Sequence, residues 1–536
     1  MAKRFGVMLD MSRNGVMKPE QVKEYALMIK SLGYNMIQLY TEDTYEVTDE
    51  PYFGYLRGRY SKDELKDMVA YCNSIGVELI PCIQTLAHLA TIFTWRDYSP
   101  ICDFGDILLC EEERTYQLIE NMFRSIRECF TGDIIHIGMD EAHMLGLGRY
   151  LDKHGVTDRF DILRKHLEKV IALAQKYNFK PIMWSDMFFR LANKGVYFLD
   201  DPSVFKDEHA AYCPDGVEQV YWDYYCTWKT RYPLMLEAHK KFKGETWFAG
   251  GIWTWNGFAA GNGFSMETMF DAMQACRDKE VDNIFMTMWG DNGKECSYWS
   301  VLPSLYAVRR AYDGVTDMDT IKKEFKDITG ENFDDMMLLD LQIYNEEGKK
   351  IDGSINKYLL YSDAFLGHLD AVVKRSYKAD YIALAEKLEA ASKNSKYSFV
   401  FDSHAALCRT LATKNDLGVR TRAAYKSDDK GALSALVTEF GATIESLEKF
   451  IKAYRALWFH DNKPHGFDVQ EIRLGGLLLR LNSQKERLEQ YLNGSIENIP
   501  ELEEEILEYH GPGSEWMMNG MPKNNWWGRS ATINNL

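Results

Sequence analysis

The sequence predicts an α/β protein, a (β/α)8 TIM barrel followed by a C-terminal all-α domain. Three observations predict it. Up to about residue 315, short β-rich apolar runs alternate with longer segments of helical period. Eight such runs can be counted. Beyond that point the strand runs stop and segments rich in Ala, Leu, Lys and Glu follow. The expected domains are 1–315 for the barrel and 316–536 for the helical part.

The runs are FGVMLD (5–10), NMIQLYT (35–41), VELIPCIQ (77–84), DIIHIGMD (133–140), KPIMWSDM (180–187), QVYWDYY (219–225), TWFAGGIW (246–253) and NIFMTMWG (283–290). Between them lie helical segments such as EQVKEYALMIKSLG and KDELKDMVAYCNSIG, each closing on a Gly suited to a helix C-terminus. A doubly wound open sheet shares the alternation, but it would carry a Gly-rich phosphate loop after an early strand, and none is found. In the second half, the stripes of DYIALAEKLEAASK and IRLGGLLLRLNSQKERLEQYL read as helix packing. This domain is expected to give support or subunit contact, a homodimer being the state considered. The last segment, SEWMMNGMPKNNWWGRSATINNL, is rich in aromatics, and its Trp526 and Trp527 are expected to dock on the barrel or on a neighbouring subunit.

Composition narrows the partners. Lys and Arg total 63 against 80 Asp and Glu, a net charge of -17, which repels phosphate backbones and anionic lipid and argues against nucleic-acid or membrane-surface partners. Asp10 and Arg13 interrupt the N-terminal apolar run below signal-peptide length, and no run of membrane-spanning length occurs. The 10 Cys are scattered without CxxC pairs, Cys72 and Cys82 lying in apolar settings, which favours free thiols and a cytoplasmic location.

A barrel keeps its reactive groups at the C-terminal ends of its strands. There the fourth run supplies HIGMDEAH, with adjacent carboxylates Asp140 and Glu141. In a walled site, repulsion and desolvation raise one pKa of such a pair, giving one acid and one anion. The letters DEAH also occur in the acidic box of some helicases, but the phosphate loop GxxxxGK[ST] which that reading needs is missing. A metal site built on His136, Asp140, Glu141 and His143 matches no zinc spacing, so no metal and no cofactor is expected. His136, inside an apolar strand, reads as a hydrogen-bonded orienting residue. Trp184, Trp222, Trp253, Trp255 and Trp289 recur at strand ends, and aromatic faces there suit the C–H faces of sugar rings.

These residues resemble the family 20 glycoside hydrolases, the β-N-acetylhexosaminidases. HIGMDE is similar to the family's H-x-G-x-D-E, LDMSR (9–13) to its L-D-x-S-R, and RYSKDELKDMVAYCNSIGVELIP to its block around helix two and strand three. The chain departs from the family at PCIQTLAH, which keeps His88 but lacks both carboxylates and the Gly of P-E-I-D-x-P-G-H. The segment beginning LYTEDTYEV resembles a compact bacterial subgroup without signal peptide or N-terminal accessory domain.

The resemblance implies an exo-acting, retaining enzyme releasing terminal β-linked GlcNAc and/or GalNAc by substrate-assisted catalysis. Glu141 would protonate the glycosidic oxygen and then activate water. Asp140 would orient the 2-acetamido group as its carbonyl oxygen attacks C1 to form an oxazolinium ion. Both can enter the site only if the strand leaves regular geometry there, since neighbours on a strand face opposite ways. Arg13 would bind the C3 and C4 hydroxyls, and a Tyr at the end of strand six, Tyr224 or Tyr225, would hold the acetamido carbonyl. Trp289 and Asp291 of MWGDNGKE would meet the pocket and the distal hydroxyls, Glu295 less so. Trp184 and Asp186 would share a face by alternation, and His88 would belong to the substrate site. The rival readings are a two-carboxylate exo-glycosidase for unmodified hexoses and a catalytically inactive sugar-binding barrel.

Overall fold

The computed structural model describes residues 2–341, 355–373, 375–509 and 526–534, and these pack as two units. The first comprises Met1–Ile252, Ser265–Met288 and Leu305–Ile321; the second comprises Trp253–Phe264, Trp289–Ser304 and Lys322–Leu536.

The first unit is a closed barrel of eight parallel strands: β1 (Arg4–Asp10), β2 (Met36–Thr41), β3 (Glu78–Ile83), β4 (Ile134–His136), β5 (Lys180–Trp184), β6 (Glu218–Trp222), β7 (Thr246–Gly251) and β8 (Asn283–Met288). Each strand pairs with its sequence neighbour, and β1 closes the ring on β8 with Leu9 opposite Met288. Strands covered on both faces need apolar residues on both, which is why the runs read as continuous rather than alternating. Every residue of β2, β4 and β8 is buried. Inside the barrel the rings of His136 and Trp184 lie 4.4 Å apart, and Phe285 packs on Trp184 at 5.9 Å and on Trp247 at 6.4 Å. The interior is a packed plug, not a pore.

The crossover helices follow their sequence signals. The helix Pro19–Ser31 opens on proline, whose absent N–H costs nothing in a first turn. The helix Lys62–Ser74 opens with a capping box: Ser61 Oγ accepts from the Glu64 amide at 3.2 Å, and the Ser61 amide donates to Glu64 Oε2 at 2.8 Å. Such a cap contributes about 1 kcal/mol.

The fourth, fifth and sixth runs fall furthest short as strands of what their apolar letters suggest. β4 stops at His136, β5 at Trp184 and β6 at Trp222. The residues beyond are irregular or, for Asp186 and Met187, open the helix Asp186–Ala192. Polar residues, Ser185 and Asp223, follow directly on β5 and β6, whereas after β4 the apolar Ile137 and Met139 stay buried.

The large elements of the second unit are helical, including Lys378–Ser392, Ser398–Lys414, Leu417–Lys426, Lys430–Asp461 and Phe467–Leu492. Its interior holds the ion pair of Lys357 Nζ with Glu295 Oε2 at 2.7 Å, and Arg473 Nη1 lies 3.1 Å from Glu295 Oε1. Residues 514–525 of the aromatic tail lie outside the described residues. Trp527 packs edge-on to Tyr361 at 6.4 Å with the Arg473 guanidinium 5.6 Å from its ring, so this part of the tail docks on the helical unit of its own chain. Among the described residues no helix is long and apolar enough to cross a membrane. All 10 cysteines are free thiols.

Candidate active site

The site is built where β4 ends. Ile137 still donates its amide to the Ile182 carbonyl at 2.9 Å and the Gly138 carbonyl accepts the Trp184 amide at 3.1 Å, but Gly138, Met139 and Glu141 all take positive φ (70°, 72° and 51°), so the chain coils away from the sheet there. Left-handed backbone at a non-glycine residue costs about 1–3 kcal/mol. Position 138 admits only glycine: a Cβ there would stand 2.0 Å from Gln84 Oε1 and 2.9 Å from the Ile83 carbonyl oxygen. The coil does what a regular strand cannot, turning two consecutive carboxylates to one imidazole. His88 Nε2 lies 3.2 Å from Asp140 Oδ2 and 3.8 Å from Glu141 Oε2.

Asp140 is held on both oxygens. Gln84 Nε2 donates to Asp140 Oδ1 at 2.8 Å, while Gln84 Oε1 accepts the Met139 amide at 3.1 Å, so one side chain fixes both the coil and the carboxylate. Burial by itself would raise the Asp140 carboxyl. The charge of His88 and the Gln84 hydrogen bond overcome it and bring the pKa down to about 2. Burial likewise opposes charge on His88, yet Asp140 lifts it to about 10. His88 has positive φ (58°), and its amide donates to Asp106 Oδ2 at 3.1 Å. At neutral pH the two form an imidazolium–carboxylate pair.

Glu141 differs in exposure: its side chain is 40% accessible against 11% for Asp140. Its amide donates to Asp186 Oδ2 at 3.2 Å, and Arg190 bridges the two acids, Nε donating to Asp186 Oδ2 at 2.8 Å and Nη2 to Glu141 Oε1 at 3.4 Å. Asp186 and Arg190 stand one helical turn apart, the spacing that brings i and i+4 side chains together. Asp186 is fully buried, and burial, with the nearby charge of Asp140, pushes its carboxyl up.

A second arm runs to β1. Tyr40 Oη accepts from Gln84 Nε2 at 2.9 Å and donates to Glu42 Oε1 at 3.0 Å. Arg13 Nε stands 3.7 Å from Glu42 Oε1, Arg13 Nη1 donates to Asp10 Oδ2 at 3.1 Å, and the guanidinium lies 4.9 Å from the Tyr40 ring centre. Burial raises Glu42 to about 7 against the pull of Arg13. Asp10 also accepts from the Ser12 amide and hydroxyl at 2.9 and 2.8 Å, folding LDMSR into a turn that presents Arg13.

At the end of β6, Asp223 points inward: Oδ1 accepts the Tyr225 and Cys226 amides at 3.0 and 3.2 Å, and Oδ2 accepts from Tyr221 Oη at 3.1 Å. Around that turn Tyr224 stacks on Trp222 at 5.2 Å and is buried, whereas Tyr225 is 44% exposed.

Of the residues singled out from sequence, Arg13, His88, Asp140, Glu141 and Asp186 thus share one polar network, with Arg190 6.0 Å from the ring of Trp222. His136 and Trp184 present almost no surface. His136 Nδ1 accepts the Gly138 amide at 3.1 Å, and burial lowers its pKa to about 3, so a neutral ring pins the first residue of the coil. Trp253, Trp255, Trp289 and Asp291 belong to the second unit. There Trp253 and Trp255 stack at 4.3 Å, Thr254 Oγ1 donates to the Trp289 carbonyl at 2.7 Å, and Asp291 is exposed. Glu295 is buried in the ion cluster with Lys357 and Arg473.

Sequence reasoning missed Gln84, Glu42, Arg190 and Asp106. For Gln84 a signal existed, since it stands where the family block carries its second carboxylate. The others sit in unremarkable local sequence and are recruited only by the fold.

A closed parallel barrel with paired carboxylates at the end of its fourth strand holds them where such barrels keep their reactive groups. Residues 5–200 match the family model described as glycosyl hydrolase family 20, catalytic domain, and residues 331–519 match the glycoside hydrolase 20C C-terminal domain. The two stretches thus match models of two domains of one glycoside hydrolase family. Among curated proteins the chain is similar to hexosaminidase D of Bos taurus, 23% identical over 250 residues, covering 44% of this chain and 66% of the relative. It is also similar to hexosaminidase D of Homo sapiens, 26% identical over 223 residues, covering 39% and 42%. The chain therefore spans less than two thirds of the length of these relatives. Among solved structures, the Flavobacterium johnsoniae chitobiase aligns with a TM-score of 0.47 at 14% identity, over 85% of this chain and 78% of that one.

Proposed function

We propose that the protein is an exo-acting, retaining β-N-acetylhexosaminidase releasing terminal β-linked GlcNAc and/or GalNAc through an oxazolinium intermediate. The observation that carries this reading is the division of the carboxylate pair. Asp140 is buried and held ionised by His88 and Gln84, while Glu141 beside it faces solvent. A fixed buried anion is poorly suited to proton transfer and well suited to hold an acetamido N–H and offset the positive charge of an oxazolinium ring. The exposed neighbour can meet a glycosidic oxygen and then a water. The names of the curated relatives, hexosaminidases both, point the same way.

In this scheme Arg13, anchored by Asp10, binds vicinal hydroxyls through its guanidinium fork. Trp222 and Tyr224 form an aromatic face at the end of β6, and the hydroxyl of Tyr224 or Tyr225 receives the acetamido carbonyl. The free thiols support work in a reducing, cytoplasmic setting.

The test compares nitrophenyl β-N-acetylglucosaminide with the plain β-glucoside. Cleavage of the first is expected to exceed the second by at least about 100-fold, since only the acetamido sugar supplies the nucleophile. Equal rates would reject the acetamido mechanism in favour of a two-carboxylate one, and binding without turnover would leave an inactive sugar-binding barrel.

A further inference from the structure

His143 closes the segment HIGMDEAH, and its imidazole stands outside the polar network of Asp140 and Glu141. Its amide donates to the Glu141 carbonyl at 2.6 Å, so the chain turns back directly after the exposed carboxylate. The imidazole is exposed and makes no hydrogen bond among the described residues. The charges of Arg190, Glu141, His88 and Asp106 all reach it.

The loop that carries it is held from two sides. Arg159 Nε donates to the Leu145 carbonyl at 3.1 Å, and Nη2 donates to the Ala142 and His143 carbonyls at 3.3 and 2.6 Å. After β3 the segments Cys102–Phe104 and Ile107–Leu108 pair as a hairpin, from which Asp103 accepts the Gly146 and Tyr150 amides at 3.0 and 2.8 Å. Gly148 lets loop and hairpin close, since a Cβ there would stand 2.3 Å from the Asp103 carbonyl oxygen. The tip of the same hairpin carries Asp106. Its Oδ2 accepts the His88 amide at 3.1 Å, whereas Oδ1 has no hydrogen bond among the described residues, and the side chain is 38% accessible. Side chains fixed in place by such a frame lose little further freedom on binding.

If Glu141 protonates the glycosidic oxygen, the leaving group lies against the residues on the open side of that carboxylate. Burial and the charge of Arg190 lower the His143 pKa from 6.5, so at pH 7 the ring is neutral, donating at one nitrogen and accepting at the other. Asp106 Oδ1 adds an acceptor, and the exposed Met144 adds an apolar surface. Sugar hydroxyls satisfy such groups, whereas an alkyl or aryl group would strip water from them without replacing its hydrogen bonds. We propose that His143 and Asp106 bind the leaving group and that this group is itself a sugar, which makes His143 a specificity-determining residue favouring oligosaccharides over simple alkyl glycosides. The inference rests on the reading of Glu141 as proton donor.

Steady-state kinetics of the full chain tests it, on methyl and nitrophenyl β-N-acetylglucosaminide and on two disaccharides ending in β-linked GlcNAc, one on GlcNAc and one on galactose. The better disaccharide is expected to exceed the methyl glycoside in kcat/KM at least about tenfold, the two having leaving groups of similar basicity. His143→Ala is expected to lower that ratio about tenfold, through KM for the disaccharide. His143→Gln, which can still donate and accept, is expected to restore most of it. Both variants are at an exposed position, so the thermal midpoint is expected to stay near that of wild type. A wild type that cleaves the methyl glycoside as well as both disaccharides would overturn the proposal, and so would a ratio unchanged in His143→Ala. Failure of the wild type to cleave the nitrophenyl glycoside would instead overturn the reading of Glu141, and this inference with it.

Discussion

The His88–Asp140 pair is open to direct titration. In the folded chain His88 is raised from 6.5 to about 10 even though burial works against its charge. That displacement corresponds to an upper bound of about 5 kcal/mol, in line with the roughly 3–5 kcal/mol lost when one partner of a buried ion pair is removed. Replacing Asp140 by Asn keeps the shape and removes the charge 3.2 Å from Nε2. Histidine NMR on ring-labelled protein is then expected to show His88 falling from about 10 to near or below 6.5, the field of Glu42 offsetting only part of the burial cost. The stability consequence has a definite sign. A raised histidine contributes fully below 6.5, and the contribution is lost as pH rises through about 10; the depressed Asp140 contributes above 3.8 and loses its share as pH falls through about 2. The denaturant-midpoint gap between wild type and Asp140→Asn should therefore be widest near pH 5 to 6 and shrink steadily toward pH 10. A His88 that still titrates above pH 9 in the variant would refute the pair as the source of its charge.

Other consequences are simpler. Glu141→Gln should abolish cleavage of sugars with poor leaving groups while retaining more activity on nitrophenyl substrates, a split read from kcat on the two classes. Gly138→Ala should cost about 2–4 kcal/mol, from left-handed strain and the collision with Gln84, seen as a lowered thermal midpoint together with lost activity. Arg190→Met, which leaves the Glu141 side chain without its bridge to Asp186, should lower kcat about 10–100-fold and displace the kcat–pH profile, with a smaller effect on KM. Asp186 is raised by burial, so its ionisation costs the folded state stability above pH 3.8. Asp186→Asn should therefore compare more favourably with wild type at pH 7 than at pH 4 by denaturant midpoint.

The barrel was legible because its physics is local and repeated. Strands buried on both faces must be apolar throughout, helices between them must be amphipathic, and eight repetitions leave few alternatives. The strand ends were less legible, because apolar letters continue past the last ladder hydrogen bond. Nothing in the letters of DIIHIGMD marks His136 as the end of the strand except the nearby Gly138, whose conformation becomes compulsory only once Gln84 is packed against it. The expectation that β4 must leave regular geometry for Asp140 and Glu141 to act together is met by the left-handed backbone at Gly138, Met139 and Glu141.

What sequence could not supply is the set of neighbours that separates two adjacent acids. Asp140 and Glu141 share a strand end, a chemistry and a histidine, so neither composition nor spacing divides their roles. The division is made by residues far away in the chain. Gln84 and His88, from the loop after β3, reach the buried carboxylate, while Asp186 and Arg190, from the helix after β5, reach the exposed one. Gln84 shows why the loss of a carboxylate in PCIQTLAH need not weaken the site. An amide can accept the Met139 N–H and donate to Asp140 at the same time, whereas an ionised carboxylate could only accept and would add a third negative charge beside the pair.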